Sequence, residues 1–508
     1  MSQPESRPQS PPPTLRANLS VSKIVFFVIA ASAPLAAMIG VLPLSFALGG
    51  GAATPVMYVV AGVILLCFAV GYATMSRHVT SSGALYAYIR AGLGRRPAVV
   101  AALIALLSYN ALAVMLVGAF GYFTRLILQI GFGFTAPWAV YAGIAIAVVG
   151  VLGYRNIDIS AKVLGLLMAA ELLILLVFDL CVVGNKGVQA FPLASLDVSP
   201  LSLGAIGLGL MFAFSSFLGF EAAAVYGEET RDPQRTVPVA TYTAVAVVAV
   251  FYGLTSWISV GAIGPNHVRS AAGQELGNLF FTMAEQYAGK TVSDVMTLFF
   301  LTSLLASLLA AHNSVNRYMF ALGRERILPS RFGGPHPKHG SPARASLVQT
   351  VINIVVVGGF AVAGLDPYLT LSVSMSALGT LGAVLLQAAA AAAVLGFFWN
   401  RPDRHWWKTG LAPLLALLGL ATAVVLIVAN YAELTGVHSV VINSLPWLFP
   451  VVAVVGWLYA LWLRRERPEV YAGIGRSVPR RPLEPADITD GTPRLPSAAS
   501  ASEPTRPE

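Results

Sequence analysis

The sequence predicts an all-α integral membrane protein with twelve transmembrane helices. Three observations predict it. Of the 508 residues, 56% are hydrophobic and 11% are charged, where an average soluble domain carries about 25% charged residues. The mean hydropathy is +0.73. The apolar residues gather in twelve stretches, most of them near the ~20 residues that a helix needs to span a bilayer. This composition excludes a soluble enzyme, a disordered chain and a secreted disulfide scaffold.

Residues 1–21 are polar and include Pro11, Pro12 and Pro13, which predicts a disordered tail. The apolar run that follows is too long for a signal peptide. The predicted spans are 23–47, 54–75, 98–130, 136–153, 160–183, 202–226, 238–263, 291–322, 345–364, 368–398, 411–430 and 445–463. Residues 80–97 are amphipathic and predict an interfacial or re-entrant helix before the third span. Residues 265–290 predict a short surface helix. Residues 464–508 open with Arg464, Arg465 and Arg467 and then turn rich in Pro, Ser, Arg and Glu, a second disordered tail.

An even number of spans puts both termini on one side. With the N-terminus inside, the inner loops hold Arg77, Arg90, Arg95, Arg96, Arg155, Arg231, Arg235, Arg324, Arg326, Arg331, Lys338, Arg344, Arg401, Arg404 and Lys408. The outer loops hold Arg125, Lys186, Arg269 and Lys290. Basic residues mark cytoplasmic loops, so both termini are expected in the cytoplasm and the chain in the cell membrane. Loops and tails account for the net charge of +9. No basic face with interleaved aromatics implies a nucleic-acid partner. Cys67 and Cys181 lie inside apolar runs, and no disulfide or metal framework follows from them. There is no Walker loop and hence no sign of an ATP-driven pump. No cofactor or metal is expected.

Two spans carry interruptions. Pro34 falls within the first, among Ala30, Ala31, Ser32, Ala33 and Ala36. Proline removes a backbone donor and clashes with the carbonyl one turn back. The result is either a structural kink or a substrate-facing break. The sixth span holds Ser215, Ser216, Gly219 and then Glu221, deep in an apolar run. A carboxyl at that depth is protonated, paired or facing water, so Glu221 either anchors a neighbouring helix or serves a transport site. Interruptions at corresponding places in spans 1 and 6 mark two five-helix halves with inverted topology. These are residues 22–183 and 202–398, with 411–463 as two further helices. A half-helix N-terminus offers N–H groups to a carboxylate, and a half-helix C-terminus offers carbonyls to an ammonium group. A zwitterion needs both.

In and after span 6 the residues are Gly219-Phe220-Glu221, then Glu228-Glu229-Thr230-Arg231-Asp232-Pro233-Gln234-Arg235, then Pro238 and Ala240. Further segments are Met38-Ile39-Gly40-Val41-Leu42-Pro43, Ser82-Gly83-Ala84-Leu85-Tyr86-Ala87-Tyr88, Asn316-Arg317-Tyr318 and Leu322-Gly323-Arg324-Glu325 with Pro329. On these residues the chain resembles the amino acid–polyamine–organocation superfamily of permeases over residues 22–400. The first-span segment has Ala36, Ala37 and Met38 where the family has a glycine-rich triplet. The resemblance implies a leucine-transporter-like 5+5 inverted repeat with broken helices 1 and 6. It implies that the backbone of Ser32, Ala33, Pro34, Ala36, Ala37 and Met38, and of Ser215, Ser216 and Gly219, binds the substrate. Phe214 and Phe217 would be an aromatic gate or lid, or simply packing residues.

Glu171 lies deep in span 5 with no basic residue within a helical turn. Aligned on Ser160-Ala161-Lys162, it stands where proton-coupled members of the family have a lysine. It is either the proton-coupling group or a structural hydrogen-bonding residue. Ser32, Ser303 and Ser307 could instead ligate sodium, and the proton is the preferred coupling ion. His312 and Asn313 read as packing residues or a relay. Glu228, Glu229, Arg231, Arg235 and Arg317 form either an inner ionic gate or a solvated set of loop charges. The function expected is a secondary active transporter of an amino acid, proton-coupled, working by alternating access. The alternatives are an amine (ethanolamine-type) permease or an amino acid exchanger. A membrane-embedded enzyme or a channel would need clustered catalytic groups or a polar pore stripe, and neither is seen. The partners implied are a small-molecule amino acid or amine, a proton and the lipid bilayer.

Overall fold

The computed structural model describes residue 25 and residues 32–79, 85–155, 161–220, 233–435 and 439–475. The expected tails, 1–21 and most of 464–508, lie outside them. Among the described residues, nine helices are long and apolar enough to cross a membrane. Three shorter apolar helices, Pro34–Leu48, Trp138–Tyr154 and Leu203–Phe217, fall in the remaining expected windows.

The first window yields two helices, α1 (Pro34–Gly40) and α2 (Leu42–Leu48). They are divided at Val41, whose φ of −120° leaves helical geometry. Then come α3 (Thr54–Ser76), α4 (Leu85–Leu93) and α5 (Arg95–Phe132). Gly94, with φ 96°, separates α4 from α5. The amphipathic segment before span 3 is therefore a helix of its own. Gly133 ends α5 in the left-handed region at φ 71°, and its N–H and that of Phe134 bond back to Gln129 and Leu128. Glycine is the usual residue there because it has no Cβ to clash.

Next are α6 (Trp138–Tyr154), α7 (Ala161–Lys186) and α8 (Leu203–Phe217). The Ser202 hydroxyl caps α8 by accepting from the Ala205 N–H at 3.1 Å, which satisfies one of the orphan donors of a helix start. α9 (Pro233–Ile263) follows. Residues 265–290 form two short helices instead of the single one expected, α10 (Val268–Glu275) and α11 (Leu279–Ala288). Leu276, at φ 48°, turns the chain between them. α12 (Lys290–Arg324), α13 (Ala343–Val362), α14 (Val373–Phe398), α15 (Ala412–Ala429) and α16 (Leu448–Glu466) complete the long helices.

α1 is the hub. Pro34, Leu35, Ala36, Ala37, Met38 and Ile39 are all buried, and α1 packs against α7, α8, α9 and α12. The outward faces of the long helices carry exposed Leu173, Leu180, Val351, Val355, Leu458 and Trp462. Apolar surface of that extent marks a membrane or partner contact. Cys67 and Cys181 are free thiols.

Candidate functional site

The site begins where α1 begins. Ser32 sits in a turn, Ala33 adopts the left-handed conformation at φ 42° and ψ 69°, and Pro34 opens the helix. Proline suits the first helical position because its missing N–H would have no partner there. The next amides of a helix start still lack intrahelical acceptors. Glu171 of α7 answers this need. Its carboxyl faces the Leu35 N–H and the Ser303 hydroxyl of α12. Among the described residues the Ser303 hydroxyl has no partner at hydrogen-bond distance, so it approaches Glu171 without closing a bond. Glu171 is 6% exposed. No basic side chain stands against it among the described residues. The positive end of the α1 dipole and one amide are its electrostatic support.

Around this contact lies a ring of hydroxyls. The Tyr252 phenol of α9 donates to the Ser32 carbonyl at 3.1 Å and lies near the Glu171 carboxyl. α8 ends at Phe217, and Gly219 beyond it takes φ 110°, a conformation open to glycine and unfavourable for other residues. The last carbonyls of such a helix lack intrahelical donors. The end of α8 is pinned from two sides. Ser216 Oγ is 3.0 Å from the Tyr58 hydroxyl of α3, and Ser215 Oγ is 3.0 Å from Ser376 Oγ of α14. Phe217 packs between Tyr58 and Tyr252, with ring centroids 6.4 and 6.0 Å away. Phe214 and Phe217 are both buried. α1 and α8 touch, and Tyr252 reaches both the Ser32 carbonyl before α1 and the Phe217 ring at the end of α8.

Ser32, Ala33, Pro34, Phe214, Ser215, Ser216, Phe217, Gly219 and Glu171 thus gather around these two helix ends. Ala36, Ala37 and Met38 are buried on α1. Glu221, Glu228, Glu229 and Arg231 lie outside the described residues. Arg235 and Arg317 are exposed, on α9 and α12. His312 is buried and 2.9 Å from Ser346 Oγ. Sequence reasoning passes over Tyr58, Tyr252 and Ser376, whose partners are far away in the chain. It also passes over Asp179, although that carboxyl lies in the same apolar run as Glu171 and carries the same local signal.

A family model described as amino acid permease matches residues 19–458. An uncharacterized transporter of Mycobacterium tuberculosis is 29% identical over 383 residues, 74% of this chain and 78% of that protein. The branched-chain amino acid permease of Bacillus subtilis is 25% identical over 317 residues, 58% of this chain and 65% of its own. A chloroplastic cationic amino acid transporter of Arabidopsis thaliana is 26% identical over 326 residues, 60% and 54% of the two chains. With the family match running from before α1 into α16, this chain belongs to the amino acid permeases of the amino acid–polyamine–organocation superfamily, a family of multi-pass membrane transporters and not of enzymes.

Proposed function

We propose that the protein is a secondary active transporter that moves an amino acid across the cell membrane by alternating access, coupled to protons. The observation that carries the coupling is the buried Glu171 carboxyl at the opening amide of α1, with no counter-cation among the described residues. An ionised carboxylate accepts strongly from the Leu35 N–H, and a neutral acid accepts weakly. Charge-assisted hydrogen bonds are about twice as strong as neutral ones. Proton binding therefore changes how firmly α7 holds α1.

In this reading twelve helices form two inverted five-helix halves plus two, with both termini in the cytoplasm. Spans 1 and 6 are the broken pair. The backbone near Ser32–Met38 takes the substrate carboxylate, and the end of α8 at Ser215–Gly219 takes its ammonium group. The described walls, Met38, Phe214 and Phe217, are apolar and carry no basic group. That supports a neutral or cationic amino acid over an acidic one. Spans 1, 2, 6 and 7 rock against spans 3, 4, 8 and 9.

The test is uptake into proteoliposomes by the purified full chain, with a panel of amino acids and amines, under a pH gradient and separately under a sodium gradient. The pH gradient is expected to drive accumulation. Glu171→Gln is expected to keep exchange and to lose most of that accumulation. No uptake or exchange of any amino acid would overturn the transport reading. Full pH-driven accumulation by Glu171→Gln would overturn the role of Glu171.

A further inference from the structure

A second carboxyl lies buried on α7. Asp179 is 5% exposed. Its Oδ2 accepts from the Thr255 hydroxyl of α9 at 2.7 Å, while its Oδ1 has no partner among the described residues. Among the described residues, no charged or titratable side chain of α1, α9, α11 or α12 acts on it beyond that one hydroxyl. Phe178 and Val182 beside it are fully buried, and Phe178 packs its ring on Phe280 of α11 at 5.6 Å. The setting is apolar, and a single neutral donor does not compensate an ionised carboxylate there.

The contact is specific. Helical serines and threonines in membranes commonly bond back to the carbonyl one turn earlier. On α9, Thr241 bonds Val237 in this way, Ser256 bonds Gly253 and Ser259 bonds Thr255. Thr255 instead turns its hydroxyl across the interface to Asp179. Eight positions separate Asp179 from Glu171 on α7, about 12 Å at ~1.5 Å per residue. The two carboxyls are therefore separate sites and not a dyad sharing one proton. Each meets a different helix: Glu171 meets α1 through Leu35, and Asp179 meets α9 through Thr255. In the proposed cycle these two helices are spans 1 and 7, both in the moving set.

We infer that Asp179 is a second proton-binding residue, which takes up and releases one proton per cycle as α9 moves against α7, so that two protons accompany each substrate. The inference rests on the proton-coupled reading above. The proton comes from the water on one side, converts the carboxylate to the neutral acid, and leaves to the water on the other side. No bond of the substrate changes.

The test uses the full chain in proteoliposomes with the membrane potential clamped at zero. The probe is the radiolabelled amino acid that exchanges fastest in counterflow at equal pH. Each coupled proton adds about tenfold accumulation per pH unit, since one unit is about 1.4 kcal/mol. The wild type is expected to gain about a hundredfold per unit. Asp179→Asn is expected to gain about tenfold with counterflow intact. Asp179→Glu keeps the carboxyl and is expected to restore the hundredfold gain. A wild type at tenfold, or Asp179→Asn at the wild-type gain, overturns the inference and leaves proton coupling standing. Loss of counterflow in Asp179→Asn and Asp179→Glu alike shows a structural role and also overturns it. A wild type indifferent to the pH gradient sinks the coupling reading and this inference together.

Discussion

The phenol of Tyr252 donates a hydrogen bond to the main-chain carbonyl of Ser32 across 3.1 Å, and both residues are buried. The carbonyl belongs to the turn that precedes α1. Tyr252 thus ties α9 to that turn. Removing the phenol hydroxyl takes away one buried hydrogen bond, with a net contribution of about 0.5–1.5 kcal/mol. Tyr252→Phe is expected to lower the thermal midpoint of the purified protein and to reduce the uptake rate roughly tenfold, the equivalent of about 1.4 kcal/mol. Wild-type uptake and stability in that variant would show that the turn is held by other contacts.

Ala33 precedes α1 with a left-handed backbone, φ 42°. That conformation places Cβ against the following carbonyl oxygen, at about 1–2 kcal/mol for a residue other than glycine. Ala33→Gly is expected to raise stability by about 1 kcal/mol net of the added freedom of the unfolded chain. Ala33→Val is expected to be destabilised and poorly active, because a β-branched side chain fits this region worse. Thermal unfolding in detergent, compared across the three proteins, gives the order Gly above Ala above Val. Any other order would mean that the turn relaxes out of the left-handed region.

Helix positions were legible in the sequence because burial in lipid writes itself as length and composition. The window 98–130 against α5, and 160–183 against α7, differ by a few residues at the ends. Pro34 and Gly219 were legible too, since each acts through its own backbone. The cross-helix partners were not. Tyr58 bonds a serine 158 positions away and Tyr252 bonds a carbonyl 220 positions away. Apolar periodicity indicates which face of a helix is buried without indicating which helix it meets. A tyrosine inside an apolar run reads as one more bulky residue until its hydroxyl finds a partner. Asp179 differs, because its signal is local: a carboxyl in an apolar run is a functional candidate wherever it occurs.

The Tyr58–Ser216 contact ties the end of α8 to α3. Tyr58 is fully buried and Ser216 is 2% exposed. The Ser216 hydroxyl is also 3.0 Å from the Phe212 carbonyl of its own helix, so it donates there and accepts from Tyr58. A double-mutant cycle with Tyr58→Phe and Ser216→Ala is expected to return a coupling of about 1 kcal/mol in stability. The double variant should lose less stability than the two single losses add up to. Strict additivity would show that the two hydroxyls do not hold the end of α8.

The amphipathic helix α4 is seated against α14 through glycine. A Cβ on Gly92 would run into the backbone of Ala393, and a Cβ on Gly396 would come 2.8 Å from the Gly92 carbonyl oxygen. Backbone cannot swing aside as a side-chain tip can, so even one added carbon must part the two helices. Gly92→Ala is expected to cost about 1–3 kcal/mol by overpacking, and Gly92→Val more. Gly358, inside α13, has open space where its Cβ would be. Gly358→Ala is expected to stabilise by about 0.5–1 kcal/mol through helix propensity alone. The same chemical change thus has opposite signs at two helical glycines, because one faces backbone and the other faces open space. Thermal midpoints and the monodisperse fraction after purification measure both. A neutral Gly92→Ala would show that α4 does not seat as closely on α14 as its glycines allow.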